Sequence, residues 1–318
     1  MKSARSVSLA LTAISLASLA AACGPSTRDG TGDAGDGTGV DAPGTGSNTG
    51  TDGGTDPATG CDDASKLVYV VDQNYKMSSF APATGIFTPI GTGALNCPGA
   101  GAATPFSMGV DRDAKAWVLY TNGKIYTVDT TTLACAPSAF SPNAGFDQFG
   151  MGFSTTSATS TTDQLFVSGG NGTVDPEANS SLGRLDTATL QVSNLGILHG
   201  SPELTGTGAG ELWAFFPGTN PRVTQLDKSN AGILTEYSNI TALNGTPSAW
   251  AFAAWGGDFF VFLAKATETR TTVYHIGGPA RGAMAGKVLD TKSAGNLMIV
   301  GAGVSTCAPV TVGRTVTH

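Results

Sequence analysis

The chain has 318 residues, of which 44 are glycine and only 13% are charged, and its formal net charge is −7. That length is ordinary for one large β-domain. From residue 61 onward 14 basic residues stand against 18 acidic ones with no basic stripe, which argues against nucleic acid as a partner.

In chain order, a targeting segment comes first and must be set aside before any fold is read. Lys2 and Arg5 precede an apolar stretch, residues 7–22 (VSLALTAISLASLAAA), and Cys23 follows Ala20, Ala21 and Ala22. Small residues directly before a Cys resemble the lipobox of bacterial lipoproteins. In that family small side chains admit the peptidase, and the thiol accepts diacylglycerol as the Cys becomes the new N-terminus. The usual Leu is displaced by one place here, to Leu19, with Ala20 in its position. The other reading is an ordinary secretory signal cleaved after Ala22. The resemblance implies a signal peptide over 1–22, lipidation at Cys23, and a membrane partner reached through acyl chains, each buried methylene contributing about 0.8 kcal/mol. Gly24 rather than Asp follows the Cys, which by the sorting rules of Gram-negative lipoproteins implies the outer membrane. No other segment approaches the roughly 18–20 apolar residues of a membrane span.

Residues 24–60 are a different texture: Gly, Thr and Asp fill 26 of the 37 positions, and Val40 is the only sizeable apolar side chain. Such a segment cannot bury enough surface to offset its chain entropy, so residues 23–60 are expected to be a disordered, lipid-anchored linker. A Gly-rich coil of that length spans about 30–37 Å. Its "GTGDAG" follows no strand and opens no helix, so it is not a nucleotide site. Its spaced Asp residues lack a calcium-loop pattern and read as a solvated acidic spacer.

From Cys61 aromatic and β-branched runs alternate with turn residues, and no helix is evident, which argues for an all-β sandwich, barrel or propeller. A strand rich in Gly and small apolar residues recurs as "FSMGVDRDA" (106–114), "FGMGFSTTS" (149–157), "ELTGTGAGE" (203–211), "AFAAWGGDF" (251–259) and "MIVGAGVST" (298–306). The starts lie 43, 54, 48 and 47 residues apart. Most copies precede a second apolar strand, as in "AWVLY" (116–120), "LFVSGG" (165–170) and "LWAFFP" (212–217). Hairpins over 123–137, 182–196, 223–237 and 272–289 come next, with Asp129, Asp186 and Asp227 at one recurring turn position, where Asp caps the turn. A period of 40–50 residues with four strands per unit predicts a β-propeller, its Gly-rich strand innermost.

The first unit, "KLVYVVD" (66–72) followed by a hairpin over 76–91, lacks its innermost strand, and the last, "MIVGAG", has nothing after it. Together they make one blade. The prediction is a five-bladed propeller over 61–309, closed by pairing the C-terminal strand with the N-terminal blade, and a short tail over 310–318. Closure puts Cys61 and Cys307 in one turn and predicts a disulfide between them. Cys97, after the fourth strand of blade 1, and Cys135, read as ending the fourth strand of blade 2, form a plausible second pair, consistent with an oxidising compartment. No C-x-x-C or His pairing supports a metal site.

The organisation resembles uncharacterised bacterial lipoproteins that carry a Gly/Asp/Thr stalk and a propeller of "GMGF", "SPELTGTG" and "WAFAAWGGDF" repeats. The resemblance covers about 61–309 and implies a fold and an envelope location, not an activity.

Chemistry is sparse. His199, His275 and His318 stand in no metal or triad spacing, "AMAGKV" (283–288) lacks a P-loop's first Gly and its Ser/Thr, and no cofactor is implied. The main expectation is an exported, lipid-anchored binding or scaffold module, a monomer whose partner is a glycan or an envelope protein. Loops before innermost strands and between second and third strands share one face. They carry Asn74, Tyr75, Asn122, Phe146, Gln148 and Trp250, with Glu203 at the start of its strand. Tyr75, Phe146, Gln148, Glu203 and Trp250 are the ligand-binding candidates, although packing between blades is the favoured reading for Phe146 and Trp250. The alternative is a glycoside hydrolase-like enzyme, which needs a pair of acids about 5–10 Å apart at the channel mouth. Asp111, Asp147 and Glu203 lie near innermost strands. Asp147 and Glu203 would share one end, so their convergence on one empty pocket would favour the enzyme.

Overall fold

The computed structural model describes residues 61–170 and 175–311. Cys23, the signal segment, the linker and His318 lie outside them. Among the described residues, twenty strands form five four-stranded antiparallel sheets. Blade 1 contains β1 (Val68–Asp72), β2 (Met77–Ala81) and β3 (Ile86–Pro89). Blade 2 is β4 (Pro105–Val110), β5 (Lys115–Tyr120), β6 (Ile125–Asp129) and β7 (Cys135–Pro137). Blade 3 is β8 (Phe149–Thr155), β9 (Asp163–Gly169), β10 (Ser180–Leu185) and β11 (Val192–Leu198). Blade 4 is β12 (Glu203–Gly206), β13 (Leu212–Phe216), β14 (Arg222–Leu226) and β15 (Ile233–Tyr237). Blade 5 is β16 (Pro247–Trp255), β17 (Asp258–Lys265), β18 (Thr272–Ile276) and β19 (Val288–Ser293). The last strand, β20 (Ile299–Val304), returns to blade 1, giving the order β20-β1-β2-β3.

The ring is therefore closed as the repeat predicts. Val68 pairs with Val304, Tyr69 with Gly303, Val70 with Ala302 and Val71 with Gly301, with a bulge before Asp72. The five innermost strands contact one another in the cycle β20, β4, β8, β12, β16. Cys61 and Cys307 are disulfide-bonded across a sequence separation of 246, and Cys97 and Cys135 across 38. Cys135 opens the fourth strand of blade 2 rather than ending it, because β7 is only three residues long and begins there.

Blades pack face to face, so strands near the axis are buried on both sides and lose the apolar–polar alternation of a half-exposed sheet. Every residue of β1, "VYVVD", is buried. The two faces of the strand serve different neighbours: Val68 and Val70 join Phe260 and Phe262 of blade 5, while Tyr69 and Val71 join Val118 and Tyr120 of blade 2. Comparable clusters fill the other three gaps. Outer strands such as β3, β15 and β19 are largely exposed.

Glycine sets how closely the innermost strands approach. A Cβ on Gly206 would lie 2.2 Å from the Phe153 carbonyl oxygen, and one on Gly150 would lie 2.4 Å from that of Pro202. Both neighbours belong to the adjoining blade. The recurring acids act on turns: Asp129 Oδ1 accepts the Thr131 and Thr132 amides, Asp186 Oδ1 those of Ala188 and Thr189, and Asp227 Oδ1 that of Ser229. These bonds, led at Asp227 by the one that the Ser229 hydroxyl donates to the same oxygen, hold each carboxyl below the usual carboxylate range. Four residues after each Asp, Leu133, Leu190 and Ala231 take positive φ of 61°, 58° and 64°, which the capped turn enforces.

The helical elements are 3-10 turns, at Ala64–Lys66, Thr241–Leu243 and Pro279–Met284. The last interrupts the final hairpin, so β19 runs on to Ser293 beyond the predicted end at 289. No helix among the described residues is long and apolar enough to cross a membrane.

Candidate functional site at the channel mouth

Innermost strands start at one end of the channel, and the hairpins joining second to third strands border the same end. A pocket of about 300 Å³ opens there. It is lined by Gln73 of the β1–β2 turn, Thr104, Pro105 and Phe106 at the start of β4, and Thr121 after β5. Glu203 of β12, Ser248, Ala249 and Trp250 of β16, and Val300 of β20 complete it. Four blades thus contribute to one small-ligand-sized cavity. Phe106, Trp250 and Val300 are half-buried, whereas Gln73, Thr121 and Ser248 are exposed.

Glu203 is the one charge-bearing side chain of the lining, and it is only 4% exposed. Ser107 Oγ of blade 2 donates to its Oε2 at 2.9 Å, and its carboxyl also accepts the backbone amide of Met151 in blade 3. Opposite it on β13 stands the apolar Phe215. Burial with no charged neighbour pushes this carboxyl well above the usual range, and the two hydrogen bonds offset that only in part. Glu203 therefore holds its proton more tightly than an exposed carboxyl does, and it couples three blades at the axis.

The other candidates divide. Trp250 lines the pocket with Glu203. Tyr75 borders the same face with a positive φ of 64°, but its hydroxyl donates to the Ala103 carbonyl and its ring lies 6.3 Å from that of Tyr120. Gln148 is on this face too, and its Nε2 donates to the Thr121 carbonyl, tying blade 3 to blade 2. Phe146 does not reach the mouth: it is 1% exposed and packs against Phe149. A bulky apolar residue just before an innermost strand fills the gap between blades, which the loop position alone did not reveal. Asn74 and Asn122 are exposed turn residues, with Asn122 Oδ1 accepting the Lys124 amide.

The acid pair that the enzyme reading needs does not form in this pocket. Asp147 is outside the lining and its Oδ1 accepts the Gln148 amide. Asp111 is at the other end of the channel, where its Oδ1 accepts the Asp113 and Lys115 amides and its Oδ2 the Trp117 indole N–H. Phe106 was not anticipated as a lining residue. It opens the Gly-rich repeat at 106, and that start beside the channel was the available signal.

Two polar clusters lie elsewhere. At the closure end Arg112 donates to Thr306 Oγ1 at 3.0 Å and approaches Asp163 Oδ1 at 3.8 Å, while Thr306 Oγ1 donates to the same Oδ1 at 2.6 Å. Asp163 Oδ2 is buried without a hydrogen-bond partner, and burial raises the carboxyl to about 6. In blade 5 the His275 ring bridges Asp258 at 2.9 Å and Asp290 at 3.0 Å, and Arg281 also binds Asp258. The paired acids raise His275 against the effect of its burial. The described residues contain no group of three or more His, Cys, Asp or Glu able to hold a metal ion.

No family model and no curated protein matches the chain. Solved structures similar to it include a chain of a nidogen/laminin complex, at 13% identity and a TM-score of 0.43, covering 75% of this chain and 80% of that one. A protein of unknown function from Bacteroides caccae is similar at 12% identity and a TM-score of 0.41, covering 74% and 97%. The propeller domain of Cps50 (Swd1) from Myceliophteria thermophila is similar at 12% identity and a TM-score of 0.39, covering 73% and 70%. The five-bladed assignment rests on the strand order of this chain itself.

Proposed function

We propose that this chain is an exported, lipid-anchored envelope protein whose propeller is a recognition module, with its ligand site at the channel mouth. The observation that carries the reading is the pocket of about 300 Å³ built from four blades, where the half-buried rings of Phe106 and Trp250 join a buried carboxyl and a rim of amide and hydroxyl groups. Aromatic faces with a few polar groups are the usual composition of small-molecule sites, and they suit a glycan or an envelope protein. Two disulfides support an oxidising compartment. The Ala-Ala-Ala-Cys segment and Gly24 support lipidation at Cys23 and the outer membrane. The module acts as a monomer.

Two experiments test this. Labelling with palmitate should be lost in Cys23→Ala, and label that persists would overturn the anchor. A glycan and envelope-polymer screen with the full chain in detergent should return a ligand whose binding falls at least tenfold in Trp250→Ala. A ligand insensitive to that substitution would place recognition elsewhere.

A further inference from the structure

The pocket lining has a pronounced charge bias. It contains no Lys, Arg or His, and its single ionisable group, Glu203, is buried with no counter-charge. β4 presents the Ser107 hydroxyl, β8 presents the Met151 amide, and β13 places Phe215 opposite. The remaining lining, from Gln73 through Thr104, Phe106, Thr121 and Trp250 to Val300, is uncharged. An anionic ligand would find no cation here and would stand over a buried acid. A neutral ligand could hydrogen-bond to Glu203 but would supply nothing that its burial lacks. A ligand bearing an ammonium supplies the counter-charge that the carboxylate form of Glu203 lacks.

The aromatic residues point the same way. Phe106 and Trp250 are both half-buried and both line the cavity. An ammonium held over an aromatic face is attracted by the ring's negative face, more strongly as the site dries. The exposed rim at Gln73, Thr121 and Ser248 offers an amide and two hydroxyls, partners for ring hydroxyl groups rather than for an aliphatic chain. Resting on the channel mouth as the ligand site, we propose that the group it binds is a protonated amino sugar, its ring against Trp250 and Phe106 and its ammonium on the Glu203 carboxylate.

The proton balance follows. Burial favours the protonated form of Glu203 in the free site, and an ammonium beside it favours the carboxylate. When the ligand enters already protonated, any proton that Glu203 holds leaves to bulk solvent, so binding releases up to one proton per site. Below the pKa of the ligand amine, affinity should rise with pH by up to tenfold per unit until the free site itself ionises. Neutral sugars should show no such slope.

Calorimetric titration of the full chain in detergent tests this, using glucosamine, N-acetylglucosamine, glucose and glucuronic acid at pH 7 in buffers of different ionisation enthalpy. Glucosamine should bind at least tenfold more tightly than N-acetylglucosamine, with any proton release not exceeding one per site, and glucuronic acid should not bind. Glu203→Gln should bring glucosamine down to the level of the neutral sugars and abolish any proton release. The comparison of the four sugars on the unsubstituted protein decides the matter even if that variant fails to fold. N-acetylglucosamine binding as tightly as glucosamine, or glucuronic acid binding as tightly as glucosamine, overturns the amino-sugar proposal. In either case, sensitivity to Trp250→Ala leaves the mouth standing as the ligand site. Tighter binding of an acetyl-lysine amide bearing a free ε-amine also overturns it, in favour of a peptide amine. Absence of binding by all of these probes overturns the proposal, and the broader screen then decides whether the mouth is a site at all.

Discussion

Replacing Cys61 and Cys307 together with serine opens the covalent closure of the ring and leaves the hydrogen-bonded one intact. β20 still pairs with β1 over Val68–Val304 to Val71–Gly301, so the variant should fold. What changes most is the unfolded chain. The bridge joins residues 246 apart, and the loop-entropy relation assigns about 5.5 kcal/mol to a loop of that size. The bridge at Cys97 and Cys135 spans 38 residues, for which the same relation gives about 4 kcal/mol. Residual structure in the unfolded state lowers both figures, so the expected losses are about 3–5 kcal/mol for the first pair and roughly 1–2 kcal/mol less for the second. Guanidinium unfolding under non-reducing conditions measures both, with the midpoint and the slope fitted separately. A loss below about 1 kcal/mol for the Cys61/Cys307 pair would refute the argument, as would a larger loss from the shorter loop, because chain entropy would then not be what the bridge controls.

Other expectations follow from packing and titration. Gly206→Ala should destabilise the protein by about 1–3 kcal/mol or more, since the new Cβ meets the Phe153 carbonyl oxygen at 2.2 Å and the Ser154 Cβ at 2.5 Å. Gly93→Ala, with nothing within 4 Å, should stay within about 0.5 kcal/mol in the same unfolding assay. Asp163 has a folded pKa of about 6 against an ordinary 3.8, so the folded state holds its proton more tightly. Its contribution is favourable below pH 4 and is lost as pH rises toward 6 and just beyond, a change on the order of 2–3 kcal/mol. Asp163→Asn should flatten that part of the stability–pH profile, and parallel profiles for the two proteins would refute the assignment.

Much of the fold was legible because propeller blades repeat a physical problem. Each innermost strand must pass close to its neighbours, so glycine recurs at positions such as Gly150 and Gly206, and the outer turns of blades 2, 3 and 4 share an Asp cap at Asp129, Asp186 and Asp227. The incomplete first unit and the surplus last strand then implied closure and paired Cys61 with Cys307. Less was legible where local pattern and tertiary position part company. The 3-10 insertion Pro279–Met284 moved the end of the last hairpin, because no short-range signal distinguishes an insertion from a long turn. The site was less legible still. Glu203 and Trp250 could be named, yet nothing along the chain says that Phe106, almost a hundred residues before Glu203, shares their cavity while Phe146 is sealed between blades.

The bridge that closes the ring also gives the domain a polarity. β20 begins at the pocket, which Val300 lines, and ends at the turn that holds Cys307, while β1 runs the other way, toward Gln73 at the pocket rim. Cys61 is fixed to Cys307, so both lie on the face away from the mouth. The bridge can therefore be reduced or replaced without touching the ligand pocket, and a loss of stability on opening it can be told apart from a loss of binding.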